Sequence, residues 1–460
     1  MAQDSLGKSG AYDLNLKSII SNLTSMNLPN FWTIFGLKSS PYFQDTLHFQ
    51  DTLQESSSTK SLSLFVGREK EQRQLLSTIG SSDSSRQAVA GFPGVGKTTL
   101  VQAVKAAAKK ANYCVANDLI SITPEHSSDA LLGQLIAGIY DAILMCNKNL
   151  KSEPEMKDAR HFVEVTRQQN ISAVGTVMGT GVEFSRSETI SDPIGGLALP
   201  ARHIIKNLLK CALDNGSEGV ILHLNNLENL SEANAEKAAD LLRSVRDTGL
   251  MIDGLHLIVV GPTSAINAVI NRHRQTKNVF SPTIHLRKLE LSDVHKLLKC
   301  RYQAFQIDLD KSFHQPIDNS IVDSLYKIFN GDLRGMLKSL EYGMQTLLLR
   351  NTDITTPLQF TLNDFLPIIK ELSERESEEL EENLGDLNWE RIVNWAKDNP
   401  DSMQTQKSLS ENWHMDNVSL IMKELTAAGA VEVMPNRVNR KIQYLLTGNA
   451  RLATYQIKSN

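Results

Sequence analysis

AVAGFPGVGKTTL, residues 88–100, joins an apolar run of β type to a glycine-rich loop and then to a run of helix formers. From Gly91 to Thr98 every fixed position of GxxxxGK[ST] is satisfied, by Gly91, Gly96, Lys97 and Thr98. Gly94 and Val95 lie inside the loop, and Thr99 follows it. Glycines let the backbone curl so that successive N–H groups converge on phosphate oxygens. The helix that follows adds its partial positive N-terminal charge. In such a loop the lysine reaches the β- and γ-phosphates and the hydroxyl of Thr98 ligates Mg²⁺. ATP and Mg²⁺ are therefore the expected cofactors, with Gly91, Gly94, Val95, Gly96, Lys97, Thr98 and Thr99 as the cradle.

The second half of a phosphate site of this kind is an apolar strand ending in acid. The candidate is VILHLNNLENL, residues 220–230. Asn225 stands where a carboxylate would hold the Mg²⁺ shell, and Asn226 where one would polarise water. Glu228 is the nearest acid. An amide can hydrogen-bond a metal-bound water but carries no charge and is a poor base, so any hydrolysis is expected to be slow. The next apolar run, LIVVGPT, ends at Thr263, placed to touch a γ-phosphate or simply to turn the chain. NGDLRGMLKSLE places Arg334 at a helix start, where it can aim a cation at phosphates.

Strands alternate with helices from about residue 61 to 289, which predicts an α/β domain with a parallel sheet wound by helices. Residues 123–200 read as an insertion, helical at first, then a glycine-rich hairpin or loop near 172–190. Residues 290–350 read as a helical lid, 351–386 as an acidic helix or linker with a solvated face, and 387–460 as a small separate domain. Residues 1–60 are polar and partly flexible, apart from LPNFWTIFGLKSSPYF. Those aromatics are expected to dock on the body of the protein or to bind a partner.

These residues together resemble the AAA+ ATPases of the origin-recognition initiator type, with related architectures in STAND signalling ATPases and defence ATPases. LFVGREKEQRQLL, residues 64–76, looks like the box that precedes the P-loop there. The resemblance implies that Phe65 and Val66 lie against adenine, that Asn225 and Asn226 occupy the Walker B positions, that Thr263 is sensor 1 and that Arg334 is sensor 2. It also implies homo-oligomers in which an arginine completes the neighbour's site; Arg272 and Arg274 are the candidates, with an ordinary surface pair as the alternative. The implied roles lie in replication initiation, transposition or defence against foreign DNA. The two asparagines depart from the family pattern and put its ATPase activity in question.

The last block predicts a winged helix-turn-helix. NWERIVNWAKDNP turns Trp389, Ile392, Val393 and Ala396 inward, QKSLSENW is a second helix, and the third starts near Asp416 and ends at Gly429. Two strands then flank a turn at Pro435 and Asn436. The wing carries Arg437, Arg440 and Lys441, followed by Arg451 and Lys458, all candidates for phosphate contacts with DNA. The third helix offers Asn417, Ser419, Lys423 and Thr426 outward, one cation only. A protein-binding module, regulating a partner effector, is the competing expectation.

Composition narrows the rest. The 460 residues carry a formal net charge of -4, so DNA contact must come from a local patch. The four cysteines are far apart and read as reduced, buried thiols. No uninterrupted run of about 18 apolar residues occurs, and the polar start lacks a signal-peptide core, so a cytoplasmic protein without a membrane partner is expected. No histidine–cysteine spacing suggests a metal site.

Overall fold

A computed structural model describes residues 30–44, 47, 64–116, 119–122, 126–175, 198–225, 227, 232–308, 313–350, 356–434 and 442–455. Six parallel strands form one sheet: β1 (Ser85–Gly91), β2 (Tyr113–Val115), β3 (Ile120–Ser121), β4 (Gly219–Asn225), β5 (Leu255–Gly261) and β6 (Ile284–Leu286). The order is β2-β4-β5-β1-β6, with β3 also on β4. The run expected to be one strand after residue 112 is thus two short pieces, both paired to β4.

The pleat splits each strand between two layers. Ala88, Ala90, Leu222, Leu257 and Val259 face the larger core, and Val89, Ile221, Ile258 and Val260 face the P-loop helix Lys97–Lys110. That helix buries Leu100, Val101, Val104 and Ala108. The expected insertion begins with a helix that belongs to the core. Ser128–Cys146 buries Leu132, Leu135, Ile136 and Ile139, and its Gly138 abuts Ile120 and Leu222. Among the described residues it alone is long and apolar enough to cross a membrane, but its apolar residues are spent on the sheet. The next helix, Pro154–Gly175, absorbs the first residues expected in the glycine-rich hairpin; 176–197 lie outside the described residues.

The lid consists of helices Leu291–Phe305, Asn319–Ile328 and Leu333–Arg350. The aromatic N-terminal segment docks on it: Trp32, Phe35, Leu37 and Tyr42 are buried in the lid core, and the Tyr42 and Tyr302 hydroxyls bond at 2.7 Å. Asn30 caps the short 3₁₀ turn Phe31–Phe35 that begins this strap. The acidic run proves to be no linker. Helix Leu362–Leu384 buries Phe365, Ile368 and Ile369 in the lid and Leu380 in the C-terminal module, so one rigid rod belongs to both.

The C-terminal module has helices Asp386–Asp398, Gln406–Trp413 and Ser419–Ala427. They pack with an antiparallel sheet of β7 (Gln404–Thr405), β8 (Val431–Val433) and β9 (Gln443–Leu446), in the order β7-β9-β8. Trp389, Ile392 and Ala396 are buried as expected; Val393 is half-buried and Trp395 takes an inward place beside them. The third helix starts at Ser419 with Val418 as its N-cap, two residues beyond the expected cap Asp416, and Asn417 Oδ1 accepts from the Ser419 N–H. A final helix, Gly448–Ala453, returns to the lid. Arg451 lies on it, is buried, and donates to the carbonyls of Lys327, Ile328 and Pro400 and to Asp401. It is a clasp between module and lid, not a DNA contact. Lys458, Pro435, Asn436, Arg437, Arg440 and Lys441 lie outside the described residues.

Candidate functional site

Parallel sheets of this kind present their sites at the carboxyl ends of the strands. There β1 delivers Gly91 into the glycine loop, and the loop delivers Lys97 as first residue of its helix. Gly94 has φ +75° and Gly96 φ +88°, left-handed values that glycine adopts without a steric penalty. The Lys97 ammonium is buried and donates to the carbonyls of Gly91 (3.1 Å) and Phe92 (2.8 Å). The loop thus folds around its own lysine and holds the charge near the cleft.

The cleft lies between this loop and the lid and takes in about 850 Å³, part of it open to solvent. Its lining divides by chemistry. Gly94, Val95, Gly96, Lys97, Thr98 and Thr99 form a polar end, with Arg334 entering from the lid. Leu47, Leu64, Phe65, Val66, Leu289, Leu297 and Leu337 form an apolar end, with Gln44 and Arg301 among them.

The GDLR turn meets the loop directly. A side-chain carbon placed on Gly94 would fall 2.0 Å from Asp332 Oδ1 and 3.3 Å from Arg334 Cβ. Asp332 Oδ1 also accepts from the Arg334 N–H at 3.0 Å and so starts the helix Leu333–Arg350. Burial pushes the Asp332 carboxyl up, while the N–H groups of Gly335 and Arg334 and the charges of Arg334 and Lys288 pull it back. Asn330 and Gly331, both at positive φ, make the tight turn that carries Asp332 to the loop.

Arg68 was passed over in the sequence, although it stands in the FVGRE box. It is buried and its Nη2 donates to Val95 (3.1 Å) and Arg287 (2.5 Å) carbonyls, bracing the loop against the segment after β6. Burial lowers its pKa, with Glu71 partly offsetting the effect. Gln44 and Arg301 were also missed. They are lone polar residues far from the glycine loop in sequence, and no local pattern marks them.

Three expected residues stand beside the cleft lining. Gly91 lies under the loop, where a Cβ would meet Val95 at 3.0 Å and the Leu286 carbonyl at 3.1 Å. Asn225 ends β4 opposite Ser121, and Thr263 begins the helix Thr263–Ile270 after β5, buried. Both are at the same end of the sheet as Gly91, since Ala90 pairs with Gly261 and Leu224 with Val259. Asn226 and Glu228 lie outside the described residues. Arg272 pairs with Glu236 of its own chain at 2.6 Å, and Arg274 is exposed at the start of a four-residue helix.

Residues 64–260 match the family model described as AAA ATPase domain. No curated protein matches the chain. Among solved structures, the chain is similar to the ORC2 protein of Aeropyrum pernix in complexes with ADPNP and ADP (13% identity, 91% of this chain, 97% of that chain, TM-score 0.43). It is also similar to Cdc6p of Pyrobaculum aerophilum (16%, 90% and 98%, 0.39) and to a Walker-type ATPase of Pyrococcus abyssi (11%, 90% and 100%, 0.44). Scores below 0.5 leave these as likenesses alone.

Proposed function

Taking residues 64–260 as an AAA ATPase domain, we propose that the chain is an ATP-binding molecular switch, a slow ATPase that assembles with copies of itself and acts on DNA through its C-terminal module. The supporting observation is the meeting of loop and lid: Asp332 sits against Gly94, and Arg334 of the same turn lines the cleft that Lys97 lines from the other side. In this reading the base of Mg²⁺–ATP lies against Phe65 and Val66, and its phosphates run along Gly94–Thr99. Thr98 holds the metal. Lys97 and Arg334 balance the γ-phosphate, with Thr263 sensing it from the start of the helix after β5.

Asn225 cannot take a proton, and a missing general base costs about 10²–10⁴-fold. Asn226 and Glu228 are left to position water. Loss of the γ-phosphate releases Arg334 and the lid turn. The lid and the C-terminal module share one helix and the Arg451 clasp, so the movement passes to the module. We read that module as a winged helix whose Arg437, Arg440 and Lys441 contact DNA phosphates, and Arg272 or Arg274 as the group that reaches a neighbour's site. One observation favours a second reading, a nucleotide-gated protein-binding subunit: the outer face of Ser419–Ala427 exposes Leu420 beside a single cation, Lys423.

The test is binding and turnover of ATP by the full chain with Mg²⁺, with and without duplex DNA, over a salt series. We expect ATP binding, turnover far slower than a second, and DNA affinity that falls steeply with salt. Neutralising Arg437, Arg440 and Lys441 should flatten that slope by about one per lost contact. Folded protein that binds no nucleotide ends the proposal. Nucleotide binding without DNA affinity at low salt, but with nucleotide-dependent capture of a protein, selects the second reading.

A further inference from the structure

The turn after lid helix Asn319–Ile328 touches the glycine loop through Asp332, and it also touches the final helix, Gly448–Ala453. The last carbonyls of an α-helix have no partner within it and carry its negative end. Here the last two, of Lys327 and Ile328, accept from Arg451 Nη2 at 3.1 Å and Nε at 2.8 Å. Nη1 of the same guanidinium is anchored on the Pro400 carbonyl and Asp401. A cation from the C-terminal module thus caps a helix of the lid. Phe329, the next residue, is buried, and two bare backbones close on its ring. A side-chain carbon on Gly448 would fall 2.8 Å from Phe329 Cδ1, and one on Gly335 would fall 2.5 Å from the same atom. The Phe329 carbonyl accepts from the Asp332 N–H at 3.0 Å. Contacts therefore run without a gap from Arg451 and Gly448, through Phe329 and Asp332, to Gly94.

Arg334 enters the cleft from this turn, and its N–H is held by Asp332 Oδ1. Where Arg334 stands therefore depends on where the turn rests, and the turn rests on the module. Resting on the reading of the cleft as a nucleotide site, we infer that Arg451 is a positioning residue of that site: it holds the lid turn where Arg334 meets the phosphates, so that the C-terminal module must be docked for nucleotide to be held tightly. Module docking then regulates the site as well as receiving its signal. The clasped and released states differ in a contact that nucleotide can feel, Arg334 on phosphate, and only such a difference lets a ligand shift the balance. Linkage makes the effect reciprocal: bound ATP protects the clasp by the factor that the clasp adds to ATP affinity.

The experiment titrates the full chain with ATP in Mg²⁺ by calorimetry and follows hydrogen exchange of residues 448–453 with and without ATP. Arg451→Ala should weaken ATP about tenfold, the lower end for a charge-assisted hydrogen bond. Gly448→Ala presses a methyl group on Phe329 and leaves Arg451 and every cleft residue unsubstituted. It should weaken ATP roughly threefold, and it stands in where Arg451→Ala does not fold. In an Arg334→Ala background either substitution should cost less than about twofold more, because the group that the turn positions is gone. ATP should slow exchange in the final helix of wild type, but not in Arg334→Ala. A clasp that only holds the fold together lowers the melting temperature and moves none of these. ATP affinity within about twofold of wild type in both single variants, or a fully additive loss in the Arg334→Ala background, overturns the inference and leaves the nucleotide site standing. Exchange in the wild-type final helix that ignores bound ATP does the same. Folded wild type that binds no ATP removes both.

Discussion

The two ends of the cleft are built in opposite ways. The end we propose for the phosphates comes from one unbroken stretch, Gly94–Thr99, and its shape is a backbone shape: two glycines at positive φ and a lysine folded onto carbonyls of its own loop. The end we propose for the base is gathered from the N-terminal strap, the 64–68 box, the segment at Leu289 and two lid helices. A backbone site tolerates drift in its surroundings. A side-chain site depends on every element that brings a wall, and so it reports whether strap, core and lid are in place together.

The largest expected effect tests the first half of that contrast. Lys97→Ala removes the cation at the phosphate end, and charged hydrogen bonds are worth about 1.5–3 kcal/mol each. ATP, GTP and tripolyphosphate should all weaken by about a hundredfold in calorimetry, while the unliganded protein loses only the stability that the Gly91 and Phe92 carbonyls owe to the buried ammonium. A loss confined to ATP would mean that the phosphate end is not the common anchor.

Gly94 is where the two constructions touch, and it gives the next effect. Gly94→Ala must accept a left-handed backbone and a methyl group in the place of Asp332 Oδ1. Gly96→Ala meets only the backbone cost of about 1–2 kcal/mol, because nothing lies within 4 Å of the new carbon. Gly94→Ala should therefore weaken ATP by roughly ten- to a hundredfold and loosen the lid, read as faster proteolysis of the lid helices; both follow from the added steric clash. Gly96→Ala should weaken ATP less and leave the lid protected. Equal effects would show that the lid turn does not rest on the loop.

The same contrast explains what was legible in the sequence. The loop, its flanking strand and helix, and the lid turn could be read because each is a local pattern tied to local backbone geometry. Trp395 was not among the residues expected inward; two positions apart on a helix, it lies about 200° from Val393, and the buried side takes Trp395 and leaves Val393 half-buried. The acidic run 371–385 looked solvated because its charges outnumber the few apolar residues that fix it; Leu380 buries 95% of its surface among them. Arg451 followed a basic wing in sequence and was read with it, but the chain turns back at Thr447 and spends the cation on the carbonyls that end a lid helix. Arg301 and Gln44 left no signal, since their meaning depends on contacts across more than 250 residues of chain.

The smallest effect lies where the lid turn meets the C-terminal module. Glu432 of β8 faces Lys288, Asp332 and Arg451, and burial pushes its carboxyl up to about 7; Asp332 adds to the rise, while Lys288 and Arg451 restrain it. A carboxyl whose folded pKa exceeds its ordinary value of 4.5 favours the protonated folded state. Its contribution to stability is complete below about 4.5 and is lost as pH rises through about 7. Glu432→Gln, a permanently neutral mimic, removes that dependence, and Asp332 and Lys288 are common to both proteins. The melting temperature of wild type minus that of Glu432→Gln should fall between pH 5 and 8 by a few degrees, on the order of 1–2 kcal/mol after allowance for partial exposure. A difference that is flat or rises with pH would place the Glu432 carboxylate comfortably ionised beside Lys288. The junction would then be an ordinary ion pair, and the charge at Asp332 could not be felt in the module through it.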